Sequence, residues 1–149
     1  MKNILPLFLV MLSLSGFAQD NCNAFLMEGD SCRYKACDYI QKAPSHYQLT
    51  GKFQEIFDKA IDICPEYASS YRANSVGYLK TGDFLNWKKL MDKAVELNPE
   101  KYLDYRGWCR FQFFRDYKGA IADIERLEDL FEGNDIGFSQ NGDYHIQVA

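Results

Sequence analysis

Asp58-Lys59-Ala60-Ile61-Asp62-Ile63-Cys64-Pro65-Glu66 returns as Asp92-Lys93-Ala94-Val95-Glu96-Leu97-Asn98-Pro99-Glu100. Only Cys64 against Asn98 differs in kind; every other position is identical or exchanges one acid or one aliphatic for another. The offset is 99 − 65 = 34 throughout, and a fixed period of that length marks a stacked helical repeat. In each copy, alanine lies on the inner stripe of a helix and proline forces the chain to turn and begin again.

Outward from this phrase, Glu66 to Lys80 reads as one helix, with Tyr71, Ser75, Tyr78 and Leu79 facing inward. Thr81-Gly82-Asp83 is a turn in which Gly82 suits a left-handed C-cap and Asp83 caps the next amides. Phe84, Trp87, Leu90, Met91, Ala94 and Val95 form the apolar stripe of the second helix. The following unit begins at Glu100. Tyr105 lies 34 after Tyr71, but Asp116 lies only 33 after Asp83, so one residue is missing from that first helix or its turn. Ile121, Ile124, Leu127, Leu130 and Phe131 continue the stripe of its second helix. Asp123 and the acids from Glu125 to Asp135 read as a solvated outer face.

Upstream, Asn21 to Ala43 is helical with a weak point at Gly29-Asp30-Ser31, and Pro44 stops it. The next helix runs from His46, capped by Ser45, to Ile63, although Gly51 points to a later start near Lys52. An antiparallel pair turning near Pro44 brings Cys22 level with Cys64, so a Cys22–Cys64 disulfide is expected.

Residues 1–18 carry the marks of a cleaved export signal: Lys2, the apolar run Ile4 to Leu14, and small residues around a cut after Ala18. The run is about half the ~20 residues that a membrane-spanning helix needs. The expected protein is therefore exported, periplasmic or secreted, with no membrane span after cleavage. Removal of Lys2 takes the net charge from −4 to −5, an acidic balance that disfavours nucleic acid. Five cysteines permit disulfides in an oxidising compartment but leave at least one thiol over. No C-x-x-C spacing occurs and only two histidines are present, so neither a metal nor another cofactor is expected. No nucleophile–base pattern or phosphate loop is present, and no catalytic residue is assigned.

Tyr71, Ser75, Tyr78, Gly82-Asp83-Phe84, Met91, Ala94 and Pro99, with Asp116-Tyr117-Lys118-Gly119-Ala120-Ile121 in the next unit, resemble the tetratricopeptide repeat family. The resemblance covers residues 66–131 well and 22–65 poorly. It implies an all-α, superhelical solenoid of about three helix pairs. The units are a degenerate pair at 19–65 and repeats at 66–99 and 100–135. A loop and the start of a further helix follow at 136–149, so the natural chain is expected to continue past Ala149. Trp87 departs from the pattern, standing where a small residue is usual, and should splay its helix pair unless Ser75 and Gly77 make room.

The resemblance also implies a non-catalytic protein-binding scaffold whose first helices line a concave groove for a partner peptide or helix. Carried over, the groove residues are Arg72, Val76, Leu79 and Lys80, then Arg106, Arg110 and Phe113. Arg106 and Arg110 share a face and with Arg72 would form a basic strip; alternatively these arginines solvate a helix face or pair with nearby acids such as Asp104. The aromatics around Cys109 are core, or leave one ring, Phe113, as a ligand anchor. The chaperone-binding clamp of some members is not reproduced, because Ala73 and Gly107 stand near its polar positions. Two other readings are an accessory region of a larger exported enzyme or envelope-assembly complex, and self-association through the C-terminal end.

Overall fold

A computed structural model gives the fold of residues 20–132 and of the backbone at 138–139 and 142–143. The expected signal at 1–18 and the helix expected from Tyr144 lie outside the described residues. The described chain is helical: α1 Cys22–Met27, α2 Ser31–Lys42, α3 Gly51–Ile63, α4 Ala68–Thr81, α5 Phe84–Leu97, α6 Pro99–Cys109 and α7 Tyr117–Leu130, with a π-helical turn, Arg110–Phe114, closing α6. Phe138–Ser139 pairs antiparallel with Gly142–Asp143.

Short polar side chains start most of these helices. Asp30, Thr50, Asp83, Asn98 and Asp116 each accept a hydrogen bond from the amide three residues on. Gly82 ends α4 at φ +74, as its position before Asp83 requires. The paired phrase accordingly marks two helix ends, Ile63 and Leu97. Its one dissimilar position divides two jobs, for Asn98 caps α6 whereas Cys64 is disulfide-bonded.

Each helix packs on its neighbours in sequence. The core falls into two clusters along the chain. One, around Ala36, Cys37, Ala60, Cys64 and Tyr67, joins α1 to α3. The other gathers Trp87, Met91, Ala94, Val95, Leu103, Cys109 and Leu127 between α4 and α7. Trp87 is fully buried, its ring 4.7 Å from Phe114 and 5.8 Å from Phe84. Gly77 does not make room for it; a Cβ there would meet the Gln48 carbonyl at 3.0 Å and Gln54 at 3.1 Å, on the side facing α3. The tryptophan finds space instead against the π-turn of the next unit.

The missing residue of the last unit falls near that turn. Arg115 adopts φ +54 where Gly82 stands in the preceding unit, and the Asp116 amide donates back to the Arg110 carbonyl at 3.0 Å. In α7 the buried positions are Ala120, Asp123, Ile124 and Leu127, whereas Ile121, Leu130 and Phe131 are turned outward. Asp123 thus lies inside, not on a solvated outer face.

The N-terminal pair corrects the expected disulfide. Cys22 joins Cys37 and Cys32 joins Cys64. Gly29, at φ +77, breaks the first helix so that α1 folds back along α2 and carries Cys22 to Cys37. Because α3 starts at Gly51 and not His46, the turn is centred further on, near residue 48 (32 + 64 = 96), and Cys64 faces Cys32. Cys109 is free and buried.

Candidate functional site: a groove across the helix starts

Between α2, α3, α4 and α6 lies an open groove of about 770 Å³. One wall is Ile40, Gln41 and the connection through Pro44 and His46; the floor is Phe53, Ile56 and Phe57. The opposite wall comes from the first two turns of α4 and α6, namely Ser69, Arg72 and Ala73 with Lys101, Tyr102 and Tyr105. Five aromatic rings, Phe53, Phe57, Tyr67, Tyr102 and Tyr105, line it together with charged groups that include Asp20, Lys101, Arg72 and Asp104, and a polar cluster closes one end.

That end is organised by Asp20. The Tyr67 hydroxyl donates to its Oδ2 at 2.8 Å and Lys101 Nζ to its Oδ1 at 2.7 Å. The Ser69 hydroxyl donates to Oδ2 as well and, with its hydrogen so used, accepts from the Tyr102 hydroxyl at 2.7 Å. Gln41 Nε2 donates to the Asp20 carbonyl at 3.2 Å. One residue therefore ties α2, α4 and α6 together. Burial pushes the Asp20 carboxyl up, but the bonds from Lys101, Ser69 and Tyr67 outweigh it and hold its pKa below the ordinary value. Burial and the bond to Asp20 raise Tyr67 far above a free phenol, so it stays a donor. Burial would lower Lys101, yet Asp20 leaves it raised and charged.

Of the residues expected to line the groove, Arg72 does so, its guanidinium 4.4 Å from the centre of the Tyr105 ring. The others stand elsewhere. Leu79 packs on the α4–α7 core, Val76 is half-buried outside the groove lining, and Lys80 is bonded to Gln48 at the far end of α4. The groove lies at the helix starts, and these three residues fall in the later turns. Phe113 is 51% exposed on the π-turn, edge-on to Trp108 at 5.2 Å, and is not part of the groove lining either.

Arg106 and Arg110 form no basic strip. Arg106 is 9% exposed and grips Asp123 with both arms of its fork, Nε to Oδ2 at 3.0 Å and Nη2 to Oδ1 at 2.5 Å. Its third nitrogen donates to Asp92 Oδ1 at 2.8 Å. Arg110 reaches Asp123 Oδ2 at 3.1 Å and the Gly119 carbonyl at 2.9 Å. Both arginines therefore pair with acids, Asp92 of α5 and Asp123 of α7. Gly107 permits this approach, since a Cβ there would stand 3.3 Å from Asp123 Cβ and 3.4 Å from the Ala120 carbonyl.

Asp20, Lys101, Tyr67, Ser69 and Tyr102 are the residues that sequence reasoning passed over. Their signal was faint: Asp20 lies two residues before a bonded cysteine, and the donors occupy the turns just after Pro65 and Pro99. Among the described residues, no helix is long and apolar enough to cross a membrane. Compared with protein-family models, with curated proteins and with solved structures, the chain matches none.

Proposed function

We propose that this chain is an exported, non-catalytic scaffold of tetratricopeptide type, which receives an extended segment of a partner protein in a concave groove. The observation that carries this reading is the groove itself, ring-lined and open, at the starts of α4 and α6. Consecutive packing of helices, two core clusters in series and the 34-residue phrase support a solenoid of helix pairs. Two disulfides in the first pair support an oxidising compartment. The groove's aromatic walls supply apolar area, and Arg72, stacked on Tyr105, supplies a positioned cation.

Site-specific photocrosslinking in the native host tests this. A photoreactive residue at Ala73, in the groove, is compared with one at Leu85, which is 78% exposed on α5. Discrete adducts at Ala73 that are absent at Leu85 support the reading. The same pattern at both positions, or no adduct at Ala73 in a folded protein, removes it.

A further inference from the structure

Asp20 sits in the groove much as an acidic side chain of another molecule would. Two carboxylate oxygens meet three donors from the starts of α4 and α6, with Tyr102 supporting Ser69 from behind. The cluster is partly open, Lys101 keeping 49% and Asp20 21% of its side-chain surface exposed. Without Asp20, a cation and two converging hydroxyls would lose their shared acceptor, an arrangement that favours another carboxylate.

We propose that Tyr67, Ser69 and Lys101 form a receiving site for an aspartyl or glutamyl side chain of the partner segment, occupied in the resting protein by Asp20. This rests on the groove being the docking surface. One feature favours exchange over a permanent tie. Asp20 stands two residues before Cys22, which is pinned to Cys37, so the connecting chain spans at most ~7 Å. That is enough to withdraw the carboxylate from its donors while keeping it at the groove's edge as a competitor. The group that fills the site is a side-chain carboxylate, so the site does not require the main-chain carboxylate of a terminus.

The test uses the processed protein with three small probes, followed by NMR titration. These are N-acetyl-aspartate α-methylamide, its asparagine counterpart, and N-acetylalanine, which offers only a main-chain carboxylate. The aspartyl probe is expected to saturate Asp20→Ala at least tenfold more tightly than wild type. Adding Lys101→Met should cost at least tenfold, and the other two probes should bind more weakly. If Asp20→Ala does not fold, the near-isosteric Asp20→Asn takes its place. Equal or unsaturable aspartyl binding in wild type and the folded variant overturns the proposal, and N-acetylalanine binding as tightly overturns its side-chain assignment. In the crosslinking assay, Ala73 adducts should rise in Asp20→Asn and fall in Lys101→Met. Adducts insensitive to both defeat the exchange and leave the groove reading intact, whereas the absence of Ala73 adducts in both the protein with unaltered Asp20 and Lys101 and the folded Asp20→Asn variant defeats the groove reading.

Discussion

Asp123→Asn is the substitution to which this fold should be most sensitive. Asp123 is 3% exposed and accepts from Arg106 at 2.5 and 3.0 Å, and Arg110 reaches it at 3.1 Å. The asparagine keeps the volume but loses the charge, and its amide turns a donor toward one arm of the guanidinium fork. Three cations (Lys88, Arg106, Arg110) face three carboxylates (Asp92, Asp116, Asp123) in this network. Removing one carboxylate leaves the guanidiniums to Asp92 and Asp116, whose side chains are 36% and 39% exposed. Breaking a buried pair by deleting one partner costs about 3–5 kcal/mol, against about 0.2–1 kcal/mol for a solvent-exposed pair. With a urea slope of about 2 kcal/mol per molar, a loss of about 4 kcal/mol moves the unfolding midpoint by about 2 M. That is a large part of the roughly 5–15 kcal/mol expected of a small domain. Urea titration followed by circular dichroism measures it, with Arg106→Met and the double variant closing a cycle. A buried pair requires the double variant to lose less than the sum of the singles, by about 0.5–3 kcal/mol. A midpoint shift worth under 1 kcal/mol, with additive singles, would refute the reasoning and make this a surface pair.

Ellman titration of the denatured, unreduced processed protein should find one thiol, Cys109, and five after reduction. In the native protein that thiol should resist alkylation at pH 8, because burial pushes its pKa up to about 12; rapid native labelling would contradict the packing. Arg115→Gly should raise stability by up to about 1 kcal/mol, since Arg115 holds φ +54, a conformation that glycine adopts without the Cβ penalty; an unchanged or lower melting temperature counts against that strain. Asp20 makes stability depend on pH in a defined window. Its folded pKa is lowered, so its contribution is complete above the ordinary value of 3.8 and is lost as pH falls through the lowered folded value. Lys101 is raised, so the same contact is lost at the alkaline end, above 10.5. The stability gap between wild type and Asp20→Asn should therefore be flat between these limits and close outside them; a gap unchanged from pH 7 to pH 2 rules out the contact.

The central helices were legible because three local signals agree there. Gly82 and Asp83 fix the turn, Pro99 fixes the end, and the Trp87–Met91–Ala94–Val95 stripe fixes the buried face. The N-terminal pair was half legible: Gly29, Pro44 and Gly51 all signalled breaks, but the length of the connection was underestimated. That displaced the partner of Cys64 from Cys32 to Cys22. The groove's Asp20 cluster was not legible, because it joins residues up to 81 apart in sequence and resides in no repeat motif. Asp123 was misplaced for another reason. A carboxylate on a helix in acidic surroundings reads as solvated, and only the arginines of the neighbouring helix make its burial tolerable.

Arg72 and Arg106 show why sequence periodicity does not carry the site. They stand 34 residues apart (106 − 72), each directly after a tyrosine 34 from the other, so the period assigns them one position. Their surroundings differ through the second helix of each unit. Seven residues after the N-caps Asp83 and Asp116 stand Leu90 and Asp123, respectively. Where the acid is present, Arg106 is drawn inward and neutralised. Where leucine stands instead, Arg72 lies over Tyr105 of the following unit and remains on the groove wall. A single exchange between leucine and aspartate on one helix thus coincides with a basic residue being a groove group or a buried structural one. It follows that groove residues in such a chain must be assigned from the partner helix of each unit, and that Leu90→Asp should draw Arg72 off Tyr105 and out of the groove.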